Sequence, residues 1–250
     1  MIKESFGELL GTFILVFIGC SSVAIAVLFD SLNLLEIALI WGAGVALAIF
    51  TVRKICPAHL NPAVSVAMVI FGDLALKKLP AYLLSQFLGA ILAGIAVYGL
   101  FESAISNFEV THSISRGTTN SMLTAKMFGE FYHSLQLTQW EATLWEGFGT
   151  FFLVIVIFSL SHFKKIHSNL PPIIIGLTVS AIICIVAPYT QAGLNPARDF
   201  GPRLVAYYSG WNSAAFPIEQ FGFLIVYIIG PIAGATIATI VHKLILKRIG

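Results

Sequence analysis

The tripeptide Asn-Pro-Ala occurs twice, at Asn61-Pro62-Ala63 and Asn195-Pro196-Ala197, and little else in the chain is as restrictive. Each copy reads as a helix start. Asn is a strong N-cap, and Pro suits the first helical turn, where its missing N–H leaves nothing unpaired. The apolar or small run that follows is short in both cases, Val64–Phe71 and Ala197–Tyr207. A bilayer core of roughly 30 Å needs about 20 residues at 1.5 Å each, so neither run can cross it. Short N-capped helices that enter a membrane without crossing it leave non-helical backbone at depth. Such backbone is tolerated where it lines a water-filled cavity, so the two boxes imply a pore.

The rest of the chain supplies the membrane. Of 250 residues, 58% are hydrophobic and 10% charged, against about 25% charged in a soluble domain. Mean hydropathy is +0.91. Six apolar runs, at about 6–28, 34–52, 79–100, 141–161, 171–187 and 218–242, predict spanning helices. No period-two alternation argues for a β-barrel. A net charge of +2 gives no case for nucleic acid, and the three cysteines (Cys20, Cys56 and Cys184) are too scattered for a disulfide framework. The N-terminal residues lack the pattern of a cleaved signal peptide. With six spans, Lys3, Arg53, Lys54, Lys77, Lys78, Lys164, Lys165, Lys243, Lys247 and Arg248 fall on one side, and Arg116, Lys126, Arg198 and Arg203 on the other. The bias predicts both termini in the cytoplasm.

The chain also repeats. Glu8-x-x-Gly11-Thr12-Phe13 returns as Glu146-x-x-Gly149-Thr150-Phe151, and Gly89-x-x-x-Ala93 as Gly230-x-x-x-Gly234. Each half holds three spans and one short helix, and three is odd, so the second half must be inverted. Inverted repeats with interrupted helices place a solute site near the midplane. The expected architecture is an all-α membrane protein with six transmembrane helices and two re-entrant half-helices. It forms one channel domain, with repeats at about 1–100 and 141–250 and an external loop at 101–140 holding a short helix near 121–135.

The stretches before each box, Ala58-His59-Leu60 and Thr190-Gln191-Ala192-Gly193, are biased away from helix by the prolines ahead. Their carbonyls are expected to form a ladder of acceptors along one wall, facing an apolar wall. Glu8 and Glu146 are expected to accept N–H groups from the pore loop of their own half. Asp199 is expected to brace the second loop, with Arg203 nearby. His59 reads as a neutral, hydrogen-bonded loop histidine rather than a pH gate. Cys184 points about 100° away from Ile183 on a helix and reads as off the pore. There is no nucleotide loop, no metal-ligand cluster and no coupled acid–base pair, so neither enzyme, metal nor cofactor is implied; His112, His133, His162, His167 and His242 have no ligand spacing.

The two boxes, the repeated Glu-x-x-Gly-Thr, and Asn195-Pro-Ala-Arg-Asp-Phe-Gly-Pro202 resemble the aquaporin, or major intrinsic protein, family over nearly the whole chain. Asp199, Arg203 and Trp41 resemble its glycerol-facilitator branch, whereas Tyr227-Ile228 is closer to the water channels. The resemblance implies a narrowest point formed by Trp41, Ile183, Ala192 and Arg198, a set similar to that of the plant nodulin-like intrinsic proteins. It also implies a homotetramer in membrane lipid, with one pore per subunit. The implied activity is passive flow of glycerol, water and similar small neutral solutes. A strict water channel, a metalloid-acid or urea channel, an ion-coupled transporter and a closed scaffold remain alternatives.

Overall fold

The computed structural model describes residues 1–132, 136–162, 167–216 and 221–249, with the side chains of 162 and 246–249 excepted. The long helices are α1 (Ile2–Phe29), α2 (Leu34–Val52), α4 (Leu79–Thr111), α6 (Gln139–His162), α7 (Leu170–Thr190) and α10 (Gly230–Ile249). The short ones are α3 (Pro62–Phe71), α5 (Met122–Ala125), α8 (Pro196–Ala206) and α9 (Gly222–Leu224). A π-helical stretch, Ile225–Ile229, carries α9 into α10. Among the described residues, six helical segments are long and apolar enough to cross a membrane, the last running Gly222–Ile245. His133, Lys164, Lys165 and the start of the sixth predicted run lie outside the described residues.

Local signals account for the helix ends. Asn33 and Glu36 form a reciprocal capping box at the start of α2. Pro80 opens α4 and Pro171-Pro172 open α7 from their first turns, where proline is tolerated. One predicted boundary moves substantially. α4 continues through 101–111, into the stretch expected to be loop, because Ile105 and Glu109 on that extension are buried. Glu109 pairs with Arg116 at 2.8 Å and accepts from Thr124 at 2.7 Å. The expected helix near 121–135 is only the single turn of α5.

Packing follows a swap pattern. α1 packs on α2 and α4 as α6 packs on α7 and α10. Each short helix leaves its own half: α3 lies against α10, and α8 against α4. α2 and α7 join the halves. At their crossing, a Cβ on Gly42 would stand 2.4 Å from the Gly176 carbonyl oxygen, so the backbones touch where side chains would separate them. Large apolar residues on the outside, Leu47, Leu84, Leu92, Leu144 and Ile237 among them, form surface that water would penalise and lipid accepts.

Candidate functional site: a lumen between two capped half-helices

Both Asn-Pro-Ala boxes cap their helices. Asn61 Oδ1 accepts from Ala63 N at 2.8 Å, and Asn195 Oδ1 accepts from Ala197 N at 3.0 Å. The amide ends of the same side chains reach across the molecule. Asn61 Nδ2 donates to the Leu194 carbonyl at 2.9 Å, and Asn195 Nδ2 donates to the Leu60 carbonyl at 2.8 Å. The N-termini of α3 and α8 therefore face each other, and each carries about half a positive charge.

The loops leading into the boxes are strained and held. Ala58, Leu60, Gln191, Ala192 and Leu194 all have positive φ, a conformation that costs an L-residue about 1–2 kcal/mol. Two buried carboxylates offset this. Glu8 accepts from His59 N at 2.8 Å, Leu60 N at 2.7 Å and Gln86 Nε2 at 2.8 Å. Glu146 accepts from Gly193 N at 2.9 Å, Leu194 N at 2.6 Å and Thr190 Oγ1 at 2.6 Å. Each carboxylate thus gathers three donors, and charge-assisted bonds of this kind are about twice as strong as neutral ones. Gln86 is a member of this cluster that the sequence reading did not single out. Its only sequence signal is a lone amide inside a spanning helix.

A cavity of about 300 Å³ runs beside these loops. Its lining includes Trp41 and Arg53, twelve residues apart on or just after α2, and Pro171 and Ile183, twelve apart on α7. At 1.5 Å per residue the lumen is therefore about 18 Å long. One wall is Ala58–Asn61 and Ala192–Asn195; the opposite wall is apolar, including Val45, Ile49, Leu153, Ile175 and Val179. Arg53 marks one end, donating to the Ser168 carbonyl at 2.7 Å and to Asn169 Oδ1 at 2.8 Å. Arg198 and Trp41 mark the other, with the guanidinium 4.2 Å from the indole centroid. Trp41, Ile183, Ala192 and Arg198 all line this one cavity. His59 also lines it, with Nδ1 3.2 Å from Ser65 Oγ and its ring against Tyr82.

Several predicted residues sit elsewhere. Thr190 is the last helical residue of α7 rather than extended loop, and it is not among the lining residues. Its carbonyl accepts the Tyr227 hydroxyl at 3.0 Å, and its hydroxyl is committed to Glu146. Gln191, also off the lining, accepts from Phe131 N at 2.6 Å through Oε1. Asp199 does not bond the second box loop through its side chain. The N–H groups there are already taken by Glu146 and by the Asn195 cap, so Asp199 turns away from that loop while staying buried. It accepts from Glu130 N at 2.8 Å and from Arg203 Nη2 at 2.6 Å.

Glu130 itself went unnoticed in the sequence. Its carboxylate forms an ion pair with Arg198, and both side chains are buried. Burial raises the Glu130 carboxyl above the usual carboxylate range, against the pull of the adjacent guanidinium. No spacing rule connects a loop carboxylate to an arginine this distant in sequence.

Against this geometry, comparison with known proteins is direct. The family model described as major intrinsic protein matches residues 1–242. The chain belongs to the major intrinsic protein family. The glycerol uptake facilitator protein of Pseudomonas aeruginosa is 36% identical over 99% of this chain and 90% of that protein. The propanediol uptake facilitator of Salmonella typhimurium is 35% identical over 94% of this chain and 90% of its own length. The X-ray structure of the aquaglyceroporin from Plasmodium falciparum superimposes with a TM-score of 0.85 at 26% identity, covering 98% of this chain and 96% of that one. This major intrinsic protein thus has the helical membrane fold expected for its family, with both boxes at the centre of one lumen.

Proposed function

We propose that this major intrinsic protein is a passive channel for glycerol and similar small neutral polyols, with water, and that it excludes ions. The observation that carries the reading is the two-sided lumen. Ala58, His59 and Gly193 line one wall, where their backbone carbonyls would serve as acceptors, while the other is hydrocarbon. A polyol is itself two-sided, so its hydroxyls can trade water for the carbonyls as its carbons meet the apolar wall. Trp41, Ile183, Ala192 and Arg198 are the proposed selectivity filter. The indole supplies a face for the carbon chain, and the guanidinium supplies donors for hydroxyls. Cations meet Arg198 and two helix N-termini of positive sign. The named activities of the bacterial relatives support glycerol, and the propanediol relative supports short diols as further solutes.

Tyr227, the residue that departs from the glycerol-facilitator pattern, is buried behind the 190–193 loop and is not among the lining residues. The departure therefore leaves the lumen open to glycerol. Both termini in the cytoplasm and assembly as a homotetramer complete the proposal.

Stopped-flow light scattering on proteoliposomes tests it. Sucrose should drive fast shrinkage; glycerol should drive shrinkage followed by quick re-swelling. Shrinkage with no re-swelling would make the protein a water channel and overturn the glycerol reading.

A further inference from the structure

We infer that Glu130 is a positioning residue for Arg198 and, through it, a determinant of how the pore ranks glycerol against water. The inference rests on the reading of Arg198 as a filter residue. Arg198 is buried, and a guanidinium removed from water without a partner is strongly destabilised. Among the described residues, its side chain has one ion-pair partner, the Glu130 carboxylate, and one stacking partner, the Trp41 ring. A guanidinium has five N–H donors. Glu130 fixes one edge of the group and leaves the remaining donors for the lumen that Arg198 lines.

The backbone of Glu130 is clamped on both sides. Its N–H donates to Asp199 Oδ1 at 2.8 Å, and its carbonyl accepts from Arg203 Nη2 at 2.6 Å. Arg203 is tied back to Asp199 and to the Ala215 carbonyl at 2.6 Å. The next residue, Phe131, donates its N–H to Gln191. Gly129 lets the segment come this close, since a Cβ there would stand 2.7 Å from Arg203 Cζ. Asp199 and Arg203 therefore act at one remove: they hold the loop, the loop holds Glu130, and Glu130 holds Arg198. Without the carboxylate the guanidinium keeps its stack on Trp41 but loses its anchor, and its nearest unfilled space is the lumen. Glycerol, wider than water and dependent on the oriented donors, should be hindered more.

The test is a double-mutant cycle in proteoliposomes, using Glu130→Gln, Arg198→Val and the combination, with glycerol and water permeabilities measured side by side. Glu130→Gln should lower the glycerol-to-water permeability ratio by about threefold or more, and should do little when added to Arg198→Val, because coupled residues are non-additive. Glu130→Asp, which keeps the charge, should restore part of the ratio. An unchanged ratio in Glu130→Gln, with Arg198→Val altering it, would overturn the role of Glu130 alone. A Glu130→Gln effect equally large in the Arg198→Val background would also overturn it, because the glutamate would then act independently of the arginine. If Arg198→Val leaves the ratio unchanged, it is the filter reading that falls. Should Glu130→Gln fail to reconstitute as a monodisperse protein, Glu130→Asp enters the same cycle, with a ratio shift present in the wild-type background and absent in Arg198→Val as the expected result.

Discussion

Ala192 and Trp41 share the end of the lumen where a solute has least room. An alanine methyl leaves space that a larger side chain would fill, so Ala192→Phe should lower glycerol permeability by about tenfold, a barrier rise of about 1.4 kcal/mol, and should affect water less. Equal loss of both in a folded variant would remove Ala192 from the proposed filter. Trp41 is positioned from behind as much as from the pore. A Cβ on Gly19 of α1 would fall 2.3 Å from its indole ring, well inside contact distance. Gly19→Ala should push the ring toward the lumen and reduce glycerol re-swelling while the protein still inserts and purifies normally. The pair Trp41–Arg198 was expected from the family resemblance. Gly19 was not, because its importance lies in a contact between two helices, and its own segment reads as one more small residue in an apolar run.

The two re-entrant segments are the elements on which the pore depends, and each hangs on a carboxylate in a neighbouring long helix. Replacing Glu8 or Glu146 with Gln removes one acceptor oxygen and sets an N–H₂ against backbone N–H donors. Leaving a buried donor unpaired costs about 1–3 kcal/mol, so each substitution should lower thermal stability in detergent and reduce solute flux. The two should behave alike, since each carboxylate collects three donors. Near-normal stability in Glu146→Gln would mean that the loop strain is carried elsewhere. The spans, the half-helices and these glutamates were readable because each leaves a local trace: an apolar run, a cap followed by proline, a carboxylate where lipid should forbid one. The 101–140 region left no such trace. Its extra helical turns on α4 are fixed by the buried pairing of Glu109 with Arg116 and Thr124, and the placement of Glu130 is fixed by Asp199 and Arg203. Propensity and hydropathy describe neighbours in sequence, and these partners are neighbours only after folding.

At the scale of the whole molecule, two of the contacts between the halves stand out. One is the α2–α7 crossing, where Gly42 and Gly176 allow backbone contact. Gly176→Leu should separate these helices and lower the yield of monodisperse protein far more than a leucine placed at an outward position such as Ile173, which is exposed. The proposed orientation has its own check: a membrane-impermeant thiol reagent should label a cysteine added at either terminus only after the membrane is opened.

The second join is the exchange of side-chain amides between the two boxes, and it has a consequence for how the protein is made. The Leu194 carbonyl that receives Asn61, and the Asn195 amide that reaches Leu60, do not exist when the first box leaves the ribosome. At about 5–20 residues per second, roughly 7–27 s of synthesis separate the two. Throughout that interval the first re-entrant loop sits in or beside the membrane with its deepest polar groups unanswered. A nascent chain of this protein should therefore be most exposed to quality-control machinery after its second crossing and until its fifth is complete, and a ribosome stalled there should release a half that is inserted but still open to degradation.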